Sequence, residues 1–204
     1  LQTAEFLYEA RLFPDLEYTF KHALTHEVAY GGVLQDRRRA LHARIVQAVE
    51  RLHASRLDEH VETLAHHAFQ GAEWERAVRY LRHSAARASG RSASREAVTH
   101  LERALDALRR LPDAAAVTAQ DIDVRLELRN ALLPLGDNQA MFRHLHAAEQ
   151  LASGIGDDRR LGWVLAYLTV CFSAAGEQEE AIAHGRRALA VSAAVEDDGL
   201  DVMG

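Results

Sequence analysis

Only three prolines and twelve glycines interrupt this chain of 204 residues, so little in it breaks regular backbone. Ala, Leu, Arg and Glu dominate the remainder, a mixture that favours helix and leaves strands few β-branched residues to build on. Lysine is absent apart from Lys21. Nearly all positive charge is therefore arginine, and no binding chemistry follows from that bias alone. Cys171 stands alone, which rules out an internal disulfide and fits a reducing compartment, with the cytoplasm as the expected location. A net charge of −6 with a pI near 6.1 lacks the positive balance that neutralising phosphates requires, so no nucleic-acid partner is expected. The uncharged stretch Leu161 to Gly176 is shorter than the roughly 20 apolar residues of a spanning helix. It sits between Arg160 and Glu177, and the expectation is a buried repeat helix, with no membrane contact. An initiator methionine is missing too, and the opening LQTAEFLYEARLFPDLEY has acidic residues in place of a basic, apolar leader. The expectation is a piece of a longer chain.

What is present is helical periodicity. Leu41, Ile45, Ala48, Val49 and Leu52 recur at steps of three and four between Asp36 and Leu52. The spacing returns in Leu57, Val61, Leu64, Ala65, Ala68 and Phe69, after which Gly71 marks a stop and Trp74 opens another helix. A helix of about Ser94 to Leu111 carries Ala97, Val98, Leu101, Ala104, Leu105 and Leu108 on one face, with Pro112 ending it and PDAAAVTAQ reading as a linker. Helices of about Asp121 to Leu135 and Asn138 to Ser153 follow, and the next forty residues repeat the plan. Gly136 matches Gly176, Ala148 matches Ala188, and Asp157-Asp158 match Asp197-Asp198, a period of about 40, in the range of helical solenoids. Stacked antiparallel hairpins are predicted, each burying its apolar face against its neighbours. Trp163 and Phe172 are expected to be largely buried. Ile182 and Leu189, seven residues apart on the last helix, are expected to be left uncovered, which makes a homo-oligomer through an uncapped C-terminal hairpin an expectation.

Two resemblances add to this. Ala97, Leu101 and Ala104 resemble the small–large–small spacing of the second helix of a tetratricopeptide repeat; Ala181, Gly185 and Ala188 match at the small positions, preceded by Leu165, Leu168 and Phe172 where the first helix carries large residues. The resemblance implies an all-α fold, antiparallel helical hairpins stacked as a tetratricopeptide-like superhelix. At the start, Tyr18, then FKHALTHEVAYGGVL from Phe20 to Leu34, then Arg37-Arg38 and Leu41-His42 look like the end of the winged-helix region of signal-transducing AAA-like ATPases of the STAND type. These occur in large bacterial class III adenylate/guanylate cyclases and related transcriptional regulators. The implied division is residues 1–56 as a winged-helix remnant and connecting helix, with a short extended piece at Tyr18 to Phe20, and residues 57–204 as repeats. The implied role is a non-catalytic protein-interaction or regulatory module of a multidomain signalling ATPase, the parent being a nucleotidyl cyclase in one version. The alternative is a purely structural or oligomerising arm of a STAND-type transcriptional regulator.

No catalytic residue is nominated. A phosphate loop needs glycines followed by Lys and Ser/Thr, but Gly31-Gly32 is followed by Val33-Leu34, and Gly154-Ile155-Gly156 reads as a helix end. His22 and His26 have the i, i+4 spacing of paired metal ligands but no third partner nearby. His66 and His67, adjacent on a helix, point roughly 100° apart, so no metal is expected. By the winged-helix resemblance His22 falls where a nucleotide-sensing histidine sits; away from an ATPase partner it is either an orphaned sensor or a packing residue. Cys171, inside the uncharged stretch, is read as a small hydrophobe. Glu179-Glu180 and Asp197-Asp198 are read as complements of helix dipoles, and Arg37 to Arg39 as a solvated or interdomain face. No cofactor is implied, and the partner expected is a protein or another part of the parent.

Overall fold

The computed structural model describes residues 7–11, 17–20, 22–112 and 114–195. Two strands, β1 (Leu7–Arg11) and β2 (Glu17–Phe20), pair antiparallel, Leu7 opposite Phe20 and Tyr8 opposite Thr19. β2 contains the extended piece expected at Tyr18 to Phe20. Nine helices follow among the described residues: α1 (Ala23–Gly31), α2 (Gln35–Leu52), α3 (Val61–Gln70), α4 (Trp74–Gly90), α5 (Ser94–Leu108), α6 (Ala115–Leu132), α7 (Asn138–Ile155), α8 (Asp158–Ala175) and α9 (Gln178–Val195). Short 3-10 turns precede α3 at Leu57–His60 and follow α6 at Leu133–Leu135. From α2 onward each helix packs chiefly on its neighbours in sequence. The result is a stack of antiparallel hairpins of the tetratricopeptide-like class.

The hairpin period of about 40 resolves into a helix step of 20. α7, α8 and α9 are each 18 residues long, joined by the two-residue links Gly156-Asp157 and Gly176-Glu177, with Gly136-Asp137 ahead of α7. Gly136, Gly156 and Gly176 have φ of 68°, 66° and 82°, the left-handed helix ending that glycine adopts without a Cβ penalty. Asp137 and Asp157 then cap the next helix, their carboxylates accepting from the Ala140 and Arg160 amides at 3.0 Å. The matching pair Asp197-Asp198 lies outside the described residues.

Two hydrophobic clusters fill the stack. The front one draws Val46 from α2, Leu64 from α3, Leu81 from α4, Leu101 and Leu108 from α5, and Val124 and Leu128 from α6. The rear one holds Ile122 of α6 with Leu145, Val164, Leu168, Cys171, Phe172 and Ala181. Alanines at the helix crossings, Ala97, Ala104, Ala148 and Ala188 among them, are fully buried and let helix axes approach closely while the larger residues fill the grooves. The uncharged stretch of residues 161–176 lies along α8, where Val164, Leu165, Ala166 and Leu168 are fully buried. No helix among the described residues is long and apolar enough to cross a membrane.

Three expectations need correction. The alanine-rich stretch read as a linker is mostly helix: α6 begins at Ala115 because alanine is the strongest helix former and Val117 packs against the front core. α5 ends earlier than expected, at Leu108, with Arg109 to Leu111 in tight turns. Phe172 is buried, but Trp163 is only half-buried. Its ring lies beside Tyr167 at 6.2 Å between centroids and leaves the cluster to its smaller neighbours.

Candidate functional site

The even-numbered helices α2, α4, α6 and α8 are tied together side to side by polar rungs. Glu50 of α2 accepts from Tyr80 of α4 at 2.5 Å and pairs with Arg76 at 3.5 Å. Burial and then the bond to Glu50 push the Tyr80 hydroxyl up to about 12. Arg82 of α4 forks onto both carboxylate oxygens of Glu127 on α6, with Nη2 to Oε1 at 2.5 Å. Arg160 of α8 forks onto Asp123 of α6 at 2.8 and 3.0 Å and also holds Asp157. These hydrogen bonds keep both guanidiniums above the usual arginine range. The Arg129 guanidinium lies 4.5 Å over the Tyr167 ring. The odd-numbered helices have fewer such ties, with Arg187 of α9 reaching Glu149 of α7 at 2.6 Å. Partly exposed pairs of this kind contribute at most about 1 kcal/mol each; their two-point geometry fixes how successive hairpins register.

Antiparallel packing brings the start of α2, the end of α3, the start of α4 and the start of α6 to one edge of the stack, centred on Trp74. Its indole meets Phe69 edge-on at 5.6 Å, and the Arg110 guanidinium lies 5.4 Å from its centroid. Between the first turns of α4 and α6 runs an open groove of about 1050 Å³. Trp74, Leu111, Pro112 and Val117 give it an apolar floor, and Glu73, Arg76, Arg79 and Gln120 a polar rim. The groove continues toward Arg82 and Glu127 through Glu75, Arg79 and Gln120, which line both spaces.

Beside it lies a histidine cluster. His42 of α2 is buried and placed against the rings of both His66 and His67 of α3, at 6.0 and 5.0 Å. His42 Nδ1 and His67 Nδ1 are 2.7 Å apart, and His42 Nε2 is 2.9 Å from the Tyr30 hydroxyl. One imidazole must donate to the other, so the pair has room for at most one positive charge. Burial, then His42 and His66, lower His67 to about 4; burial, then His66 and Arg38, lower His42. The rings of His66 and His67, adjacent on their helix, meet edge-on at 5.1 Å, and His42 from another helix completes a triangle with them.

His22 is exposed at the N-cap of α1 and makes no capping hydrogen bond. His26 lies on α1 four residues on, its side chain outside the described residues. Cys171 is buried, and burial pushes its thiol up, so it is held as a protonated hydrophobe. Glu179 and Glu180 fall in the first turn of α9, where the helix dipole favours them. Among the described residues no three His, Cys, Asp or Glu side chains are arranged to hold a metal ion. Sequence periodicity carried no sign of Trp74 as a centre or of the His42–His67 pairing. The near-repeat separation of Asp123 and Arg160, 37 residues, was the one available signal for the rungs.

The fold and this edge define a stacked helical-hairpin protein with a surface groove. No family model matches the chain, and no curated protein sequence matches it. Among solved structures it is similar to BtubC (BKLC) from P. vanneervenii, with a TM-score of 0.53 and 16% identity over 78% of this chain and 74% of that one. It is also similar to the apo form of RapI, with a TM-score of 0.54 and 9% identity over 85% of this chain. The chain spans 62% of RapI. At these identities the likeness is one of fold.

Proposed function

We propose that this chain is a non-catalytic protein-interaction module that takes up an extended segment of a protein partner in the groove beside Trp74. The groove itself carries this reading: a half-buried tryptophan and an apolar floor rimmed by Arg76, Arg79, Glu73 and Gln120 supply an aromatic anchor with flanking polar groups, the composition of a binding hot spot. The rungs hold α2, α4, α6 and α8 in fixed register, so the groove is preformed.

The module belongs, in this proposal, to a cytoplasmic signalling protein in which residues 1–56 end a winged-helix region and residues 57–204 are the repeats. The resemblance of Tyr18 to His42 to STAND-type ATPases supports that placement, as does the β1–β2 pair ahead of α1, since a hairpin is what a wing is made of. Partner binding then biases the upstream ATPase, and its effector, a nucleotidyl cyclase in one version, toward one state. In that setting His22, exposed at the start of α1, is available to an upstream nucleotide site.

Peptides selected on the purified chain from a random display library test the groove. Sequences that bind the native chain and lose binding to Val117→Arg, which fills the floor, support it; no enrichment, or binding indifferent to Val117→Arg, removes it. ATPase or cyclase turnover above a heat-treated control, surviving repurification, overturns the non-catalytic reading. A structural or oligomerising arm is the second reading, favoured by Ile182 and Leu189 on α9, 54% and 44% exposed. Light scattering coupled to size exclusion tests it: a dimer dissolved by Leu189→Glu supports it, and a monomer at high concentration excludes it.

A further inference from the structure

On the far side of Trp74 from the groove is a pocket of about 250 Å³. Three rings, Tyr30, Phe69 and Trp74, wall it, and its polar lining is Gln35, Arg38, Arg39, His42 and Gln70. Among the described residues no carboxylate lines it, in a chain whose 30 Asp and Glu outnumber its 24 Lys and Arg. The two arginines also lack firm partners. Arg39 meets Asp36 at 3.8 Å, with the Asp36 side chain 97% exposed, a contact that water screens. Arg38 lies over Tyr30 with its guanidinium carbon 5.0 Å from the ring centroid, and its Nε is buried without a hydrogen-bond partner. His42 does not supply the charge, because burial and then the neighbouring His66 and Arg38 disfavour its protonated form. It acts as wall.

We infer that this pocket receives the carboxylate of an Asp or Glu side chain from the partner segment that lies in the groove. The guanidinium of Arg38 offers the planar donor fork that matches a carboxylate, and Arg39 adds the second charge. The space has room for a side chain, and Ala72 and Trp74 line both pocket and groove, so a chain crossing Trp74 drops one side chain into it. The inference rests on the groove reading, and the experiment separates the two.

The peptides selected on the native chain should share an acidic residue at one position. Replacing that residue by its amide should weaken binding at least 10-fold by fluorescence anisotropy. Arg38→Gln should weaken the acidic peptide to the same extent and leave the amide peptide unchanged, which is the coupling a direct contact gives. Gln is a good helix former, and a far-UV melt establishes that the variant is folded; Arg39→Gln, at a more exposed position, should give a smaller loss in the same direction. Peptides that need the groove, as Val117→Arg shows, but carry no acidic residue or bind Arg38→Gln equally well overturn the pocket and leave the groove standing. Peptides indifferent to Val117→Arg remove both.

Discussion

The front of the stack, at the links of α3 to α4 and α4 to α5, and its rear, at the links leading into α7, α8 and α9, make the same sharp helix-to-helix turn with different residues. In the rear each left-handed position is glycine, and the next residue is an acidic cap in Asp137 and Asp157. In the front the left-handed positions are Ala72 and Ser92, at φ of 57° and 61°, and Glu73 and Ala93 behind them make no side-chain cap. The front glycine sits one position early, at Gly71, where an added Cβ would lie 2.8 Å from the Ala43 amide nitrogen of α2. Turn geometry is thus common to both halves, while the residue that satisfies it yields to a tight crossing of α2 and α3. Ala72 also lines both the groove and the arginine pocket, so the front turn with the least favourable backbone is the one at the candidate site.

The largest effect should come from the rear core: Phe172→Ala should lower stability by about 3–5 kcal/mol, read as a drop in the urea midpoint. An unchanged midpoint would mean that the rear cluster is not packed as a core. Next, Gly71→Ala should cost about 1–3 kcal/mol through overpacking against α2, whereas Gly156→Ala, with open space around it, should cost only the left-handed strain of about 1–2 kcal/mol. A reversed order would break the distinction between the two glycines. Asp137→Ala should cost about 1 kcal/mol as a lost cap. Ala72→Gly should raise stability by about 0.5 kcal/mol, the relief of left-handed strain less the added freedom of the unfolded chain; a fall would show that the front turn is not strained.

Acid should weaken both halves. His67 at the front and His144 of α7 are both held near 4, His144 by burial and then Arg125, and His42 is lowered with them. An unfolded chain binds protons at these sites from about 6.5 downward, so between pH 6.5 and about 4 the unfolded state holds more protons and stability falls as pH drops. Above 6.5 none of these sites changes it. Melting temperatures at pH 7.5 and 5 should diverge, and His67→Gln should reduce the divergence.

Much of the stack was legible because its cause is local. Apolar residues at steps of three and four, and glycines ahead of acidic residues, specify helix and stop without reference to the rest of the chain, and the repeat at Gly136 and Gly176 shows the hairpin. The start of α6 was missed because Pro112 and Asp113 look like the opening of a linker, yet the alanines after them favour helix and Val117 reaches the front core. The candidate site is a different matter. Trp74, Arg38 and His42 come together from separate helices, and only the stacking of α2 on α3 and of α3 on α4 makes them neighbours; nothing in the spacing of 38, 42, 67 and 74 announces it. Arg38 drew notice in a resemblance and, with Arg37 and Arg39, as a solvated or interdomain face, although its Nε is buried.

Helix α6 presents Ile122 to the rear cluster and Val124 and Leu128 to the front one, and α7 gives Met141 to the front and Leu145 to the rear, so this hairpin serves as a party wall between the two interiors. In the language of hydrogen exchange, the amides along its middle are released only when both sides open, which places them in the slowest-exchanging set of the molecule. Opening on one side then leaves the other closed, and the α6–α7 hairpin is where partial opening stops being partial.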